Sequence, residues 1–230
     1  MTPFKPTGHP GVILSGGRSK RMGQTKALLP FGPARLIDHV AARLAPQVTA
    51  LAINSNDPAI TLADIPVLAD QFEDFPGPLA GIHAALAHAR IHWPEAGHVA
   101  IVPVDVPFFP IDLVGRLAAG LTAADDIVLA MSSGRLHPVI GLWPVSLLER
   151  LTDWLTDPPT LRVDAFLDSL PVRTVVFAPQ PTPQGDLDPF FNINRPDDLD
   201  TARRTYDALS MTEPKIFGIA GWKNSGKTGL

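Results

Sequence analysis

Short apolar runs alternate with helical repeats along most of the chain, and this alternation restricts the fold more than any other feature. Segments 11–14, 49–53, 65–68, 99–102, 127–131, 139–143 and 172–177 read as buried strands. Between and after them, segments 36–44, 79–89, 111–121, 145–155, 161–170 and 196–209 read as helices. Leu36, Val40 and Leu44 fall on one helical face, and Leu79, Ile82 and Leu86 keep the same spacing. Strand–helix alternation predicts an α/β fold with a mostly parallel sheet and helices on both faces.

In such a sheet, ligands sit beyond the carboxyl ends of the strands. The segments to inspect are therefore 15–26, 54–57, 70–78 and 103–110. The chain has 230 residues, enough for one sizeable core and some extra. Apolar residues make up 45% and charged residues 18%, a globular balance. The formal net charge of -4 gives no broad basic footprint, so no nucleic acid partner is expected. There are no cysteines, which excludes disulfides, thiolate metal sites and thiol nucleophiles and fits a reducing cytoplasm. The first ten residues carry one lysine and no apolar core, unlike a signal peptide, and no run is long enough to span a membrane. The expected location is cytoplasmic. The 25 prolines fall between apolar runs and punctuate the elements. No internal repeat or low-complexity tract is present.

The first strand runs into Leu14-Ser15-Gly16-Gly17-Arg18-Ser19-Lys20-Arg21-Met22-Gly23-Gln24-Thr25-Lys26. Glycines let the backbone turn sharply and approach a ligand, and successive amides in such a turn can cradle phosphate oxygens. Arg18, Lys20, Arg21 and Lys26 add positive charge where a triphosphate would lie. The loop matches neither the dinucleotide-binding fingerprint nor the G-x-x-x-x-G-K-[ST] loop. A plain glycine turn with solvated cations is the competing reading of the glycine pair alone.

With its arginine, glycine and lysine at that spacing and Leu28-Leu29 following, the loop closely resembles the signature of the nucleotidyltransferase superfamily. Within it, the chain is similar to the molybdenum cofactor guanylyltransferases, or MobA family. The resemblance runs from about residue 11 to 206, with the motifs in the family's order. It implies a single Rossmann-like nucleotidyltransferase domain over 1–209, with GTP and molybdopterin as substrates and Mg2+ as cofactor. It further implies that Leu14, Ser15, Gly16 and Gly17 contact GTP, that Lys26 binds its phosphates and that Arg21 neutralises charge. Ser15 stands where many members have Ala. Relatives that use CTP tend to carry Ala-Ala-Gly at this loop, so Gly16-Gly17 favours the guanine branch.

Asn54-Ser55-Asn56-Asp57 reads as a turn from its residues alone, and an Asn amide also suits a nucleobase edge. The resemblance places Asn54 on guanine and raises Asp70, otherwise a loop carboxylate, to a guanine or ribose contact. Pro76-Gly77-Pro78-Leu79-Ala80-Gly81 reads as a rigid corner opening a helix. The family's form of this string lines the active site, which implicates Pro78, Leu79 and Gly81. Asp105 follows a buried strand between prolines, where a lone Asp is commonly a turn residue. By resemblance it is the magnesium aspartate, with Val104 in place of the family's usual Cys. His137-Pro138 resembles a segment near the pterin, and a buried, satisfied histidine at a strand start is the competing reading. Asn192 and Asn194, two apart, point the same way from an extended chain. The resemblance places them near phosphates, metal or acceptor; their alternative is a cap on the helix at Pro196.

Segment 215–230 contains Gly221-Trp222-Lys223-Asn224-Ser225-Gly226-Lys227-Thr228, a full G-x-x-x-x-G-K-[ST] match after an apolar strand pattern. It resembles the opening of MobB, a GTP-binding partner in the same pathway. A P-loop needs the following helix and its own sheet. The expectation is a linker at 210–214 and a truncated start of a P-loop domain at 215–230 that is no working site. A MobB-like GTPase and molybdoenzymes receiving the cofactor are the implied partners, with no membrane partner. The rival readings are a cytidylyltransferase on the same cofactor, a sugar-phosphate nucleotidyltransferase, and a non-catalytic GTP-binding module.

Overall fold

A computed structural model of the chain describes residues 8–16, 25–72, 77–157 and 160–212. Among the described residues, eleven strands and six α-helices follow one another: β1 (Gly11–Leu14), β2 (Pro30–Phe31), β3 (Ala34–Arg35), α1 (Leu36–Leu44), β4 (Leu51–Asn54), β5 (Val67–Leu68), α2 (Pro78–His92), β6 (His98–Pro103), α3 (Leu113–Ala119), β7 (Ile127–Ser132), β8 (Arg135–Pro144), α4 (Leu148–Thr156), α5 (Val163–Leu167), β9 (Val172–Phe177), β10 (Gln180–Thr182), β11 (Gly185–Leu187) and α6 (Pro196–Thr212). Seven strands form one sheet in the order β5-β4-β1-β6-β8-β7-β9. β8 alone runs against its neighbours, so the sheet is mostly parallel as expected.

The sheet separates two apolar cores, and the strands feed both because successive side chains alternate. Ile13, Ile53, Val102, Val128 and Leu142 face α1, α3 and α6. Val12, Ala52, Ile101, Leu129 and Trp143 face α2, α4 and α5. Both faces are covered, which explains why the strands read as unbroken apolar runs. Among the described residues, no helix is long and apolar enough to cross a membrane.

Several boundaries differ from the sequence reading. The helix expected at 111–121 is only Leu113–Ala119, because Pro110 and Gly120 bracket it. Segment 145–155 divides into a 3-10 turn at Val145–Leu147 and α4. The helix expected at 161–170 shortens to Val163–Leu167. α6 continues to Thr212, beyond its expected end at 209 and through the first residues of the expected linker. The remainder of that linker and segment 215–230 lie outside the described residues. Two small hairpins, β2–β3 and β10–β11, carried no apolar alternation to announce them.

β7 and β8 meet at a tight hairpin whose central residues, Ser133 (φ 48°) and Gly134 (φ 73°), both adopt the left-handed region. A two-residue turn of this sense matches the strand twist. Beyond it the register jumps: Ala130 pairs His137, but Leu129 pairs Gly141. The three intervening residues of β8 begin with Pro138, which has no amide hydrogen to give the ladder. At Gly141 a Cβ would lie 2.4 Å from the Val128 carbonyl oxygen, so only glycine allows the strands to close after the bulge. Bulges re-aim side chains, and this one sits next to His137.

Candidate functional site

The carboxyl ends of β1, β4, β5 and β6 are tied together by backbone bonds that outlast the strands. Ser15 N donates to Asn54 O (2.8 Å), Ser55 N to Leu68 O (2.8 Å) and Val104 N to Leu14 O (2.9 Å). This places Leu14, Ser15, Gly16, Asn54, Asp70 and Asp105 along one edge of the sheet. Lys26, on a 3-10 turn at Lys26–Leu28, reaches the same edge. Gly17 and Arg21 lie outside the described residues.

Lys26 Nζ donates to Asp105 Oδ2 at 2.8 Å, with both side chains largely buried. The other carboxylate oxygen, Asp105 Oδ1, is buried with no hydrogen-bond partner among the described residues. An unsatisfied buried acceptor is costly, and a carboxylate oxygen of this kind suits a hard divalent cation. Among the described residues, no three acidic or imidazole groups cluster to hold a metal. An ion of the Mg2+ type is in general held by one or two carboxylates and draws the rest of its oxygens from substrate phosphates and water. Ser15 Oγ is a second buried oxygen on this edge without a partner among the described residues.

The loop carrying Asp105 is fixed from behind by three polar groups. His39 Nε2 donates to Pro107 O (3.0 Å), Arg43 Nε to Phe109 O, and Gln47 Nε2 to Pro110 O (3.1 Å). Buried Gln47 also accepts from Val114 N at 3.1 Å. The four-residue spacing puts these groups on one face of α1 and the turn that continues it. Sequence reasoning passed over them. Their signal was three polar residues at helical spacing between the apolar positions.

On the other side of β1, Asn54 is almost wholly buried. Its Nδ2 donates to Leu68 O (3.2 Å) and Asp70 Oδ1 (2.8 Å). Asn56 Nδ2 donates to Asp70 Oδ2 (2.8 Å), and Asp70 N donates back to Asn56 Oδ1 (2.8 Å). Both oxygens of Asp70 are thus held by amides. With Nδ2 committed, Asn54 presents Oδ1 toward the glycines: a Cβ built on Gly81 would lie 2.5 Å from it, and one on Gly16 3.6 Å. Leu79 is buried in the first turn of α2, Pro78 is exposed at its start, and Gly81 follows. α2 begins beside this edge, since a Cβ on Gly81 would meet Asn54 and Leu14, and a helix N-terminus favours an anion. Thr25 Oγ1 also donates to Asp57, which ties the residue before Lys26 to the loop after β4. Asn56, Thr25 and Asp57 were not among the expected site residues.

β8 is antiparallel, so its first residues reach the same edge. His137 Nε2 lies 2.8 Å from Ser132 Oγ, and Ser132 Oγ donates to Asp188 Oδ1 at 2.7 Å. The imidazole is half-buried and packs on Phe190, with ring centroids 4.7 Å apart. Burial pushes its pKa below the usual value; Asp188 opposes this and Arg135 adds to it. Asn192 and Asn194 are both exposed, with Ile193 buried between them, the alternation expected of an extended chain. Ile193 N donates to Asp105 O (2.9 Å), which fastens this segment to the Asp105 loop. The cap on α6 comes from Asp198 Oδ2, which accepts from Asn194 N and Arg195 N at 2.8 Å each.

Comparison with known proteins gives a consistent picture. The model of the MobA-like NTP transferase domain matches residues 11–171. A molybdenum cofactor guanylyltransferase of Rhizobium leguminosarum bv. trifolii is 49% identical over 199 residues, covering 86% of this chain and 93% of that protein. A protein of the same name from Rhizobium meliloti is 43% identical over 215 residues, covering 92% of this chain and 98% of the relative. The solved molybdopterin-guanine dinucleotide biosynthesis protein A of Archaeoglobus fulgidus superposes with a TM-score of 0.65 at 21% identity. That match covers 86% of this chain and 98% of the other and supports the fold.

Proposed function

The chain belongs to the MobA-like NTP transferase family, and from that premise we propose that it transfers GMP from GTP to the terminal phosphate of molybdopterin, releasing pyrophosphate. The observation that carries this reading is the convergence of Lys26 and Asp105 on the sheet edge, with Asp105 Oδ1 left without a partner. A cation and an unsatisfied carboxylate oxygen side by side suit a polyphosphate accompanied by a divalent metal.

In this reading the backbone of 14–17 cradles the triphosphate. Lys26 exchanges Asp105 for a phosphate oxygen, and Arg21 adds charge from the same loop. Asn54 and Asp70 read the base or ribose, with Pro78, Leu79 and Gly81 as the wall beside them. Asp105 would hold Mg2+, which supplies charge neutralisation on the phosphates when bound. His137, Asn192 and Asn194 face the pterin side. The acceptor phosphate is an anion, so the residues chiefly position the two substrates in line and offset charge. The reaction is cytoplasmic in this account, and a MobB-like GTPase and molybdoenzymes are the downstream partners it implies.

The test is product formation. With GTP labelled in the α-phosphate, label should move into a guanine dinucleotide form of the pterin. Label that remains in GTP, or appears only as free GMP, contradicts the proposal.

A further inference from the structure

Ser132 is completely buried at the end of β7, yet its hydroxyl lies within hydrogen-bond distance of both an imidazole and a carboxylate. The direction of these bonds follows from the partners. Asp188 Oδ1 accepts from Phe190 N at 2.8 Å, so it is an acceptor, and it also receives the single hydroxyl hydrogen of Ser132. Ser132 Oγ then has only lone pairs left for His137, so the proton of that ring contact must sit on Nε2. A neutral imidazole carrying its proton there has a bare lone pair on Nδ1. Nδ1 has no hydrogen-bond partner among the described residues, and the imidazole is only half-buried.

We propose that Ser132 and Asp188 are positioning residues that lock His137 as the Nε2–H tautomer, and that His137 Nδ1 takes the last proton of the acceptor's terminal phosphate. This rests on the guanylyl-transfer reading. A phosphate monoester has a second pKa of about 6, so near neutrality part of the acceptor enters with that proton. The O–H bond breaks as the Nδ1–H bond forms. The freed phosphate oxygen then bonds to the α-phosphorus of GTP, the α–β bridging P–O bond breaks, and pyrophosphate leaves with that electron pair. The proton passes from Nδ1 to water after the product departs.

The surroundings suit the task. Among the described residues, Arg135 on β8 and Asp188 on the segment after β11 are the charged groups that act on the ring. Burial keeps the resting imidazole neutral and able to accept, while Asp188, acting across the Ser132 hydroxyl, stabilises the imidazolium once formed. The same Asp188 oxygen fixes Phe190, whose ring packs on His137. That segment continues to Ile193, which is bonded to Asp105. One buried hydroxyl therefore couples the imidazole to the loop that carries the acidic side of the site.

Two measurements on the full chain test this. First, the side-chain nitrogen spectrum of His137 should report the Nε2–H tautomer in the wild type and lose that preference in Ser132→Ala. Second, pyrophosphate release should be followed from pH 5.5 to 8 with GTP and molybdopterin. His137→Gln should lower kcat/KM for the pterin by about 10²-fold and Ser132→Ala by about tenfold, with GTP affinity unchanged. Should Ser132→Ala not fold, Asp188→Asn keeps an oxygen for both donors and removes only the charge. It should move the acid limb of the profile to lower pH and lower the plateau severalfold. A wild-type Nδ1–H tautomer, or an Asp188→Asn profile that overlays the wild type while the wild type is active, overturns the proton assignment and leaves guanylyl transfer standing. If the wild type releases no pyrophosphate with the pterin, the parent reading falls and the acceptor assignment with it, and the tautomer alone then judges the Ser132–Asp188 lock.

Discussion

Lys26 and Asp105 stand 79 residues apart in sequence, but the Lys26 ammonium lies 2.8 Å from Asp105 Oδ2. They meet because β1 and β6 are adjacent in the sheet, Asp105 lies just past the end of β6, and the 3-10 turn that carries Lys26 reaches the same edge. Removing either charge should therefore damage the reaction far more than the fold. Lys26→Ala and Asp105→Asn should each lower turnover by about 10²–10³, the usual loss for one charge-stabilising contact. Melting temperatures should stay close to wild type, because the pair lies at a loop edge outside both cores. Near-normal turnover in either variant contradicts the assignment.

Gly81 gives a sharper steric test. A methyl group there would lie 2.5 Å from Asn54 Oδ1 and 3.2 Å from Leu14 Cδ2. Asn54 cannot swing away freely, since its amide nitrogen is held by Leu68 O and Asp70. Gly81→Ala should thus raise the KM for GTP by about tenfold, roughly 1.4 kcal/mol of binding, with a smaller change in kcat. Steady-state kinetics with varied GTP decide this; an unchanged KM removes Asn54 from nucleotide recognition.

Asp126 sets an acid limit on stability, remote from the chemistry. Its Oδ2 accepts from Thr122 N (2.7 Å), Thr122 Oγ1 (2.9 Å), Ala123 N (2.8 Å) and Arg173 Nε (2.8 Å). The Thr122 backbone bond leads the effects that hold its pKa at about 2. In an unfolded chain an aspartate titrates near about 3.9. The folded value is the lower, so this group's contribution is full above the unfolded value and is lost as pH falls toward the folded one. Asp126→Asn should melt below wild type at neutral pH, and the gap should close between about pH 4 and 2. A gap independent of pH contradicts the argument.

Much of this fold was legible because buried parallel strands are unbroken apolar runs and α1 has a clean apolar face. β1, α1 and β9 begin and end where the pattern does. What escaped lacks such a pattern. The hairpin β10–β11 is polar and short, and the antiparallel sense of β8 depends on a two-residue turn. The expected carboxylate and lysine were found through a resemblance, not through spacing, since 79 residues separate them. Asp188 lies 56 residues from Ser132 and had no local signal at all. His39, Arg43 and Gln47 belong to no motif, and their role depends on partners far away in sequence, the carbonyls of the Asp105 loop.

The G-x-x-x-x-G-K-[ST] match near the end of the chain offers a paired control. If GTP binds at the first glycine-rich loop, Lys227→Ala should leave GTP affinity unchanged in the full chain while Lys26→Ala weakens it by about tenfold or more. Equilibrium titration with GTP reads both. The reverse result would move the nucleotide to the terminal motif.

The central claim is guanylyl transfer to a pterin phosphate, and pyrophosphate release tests it most directly. The chain should be given Mg2+ and molybdopterin with GTP, CTP, ATP or UTP in turn. The account predicts release with GTP that requires the pterin and is at least about tenfold slower with the other three nucleotides. Release that favours CTP, or that proceeds equally without the pterin, would contradict it.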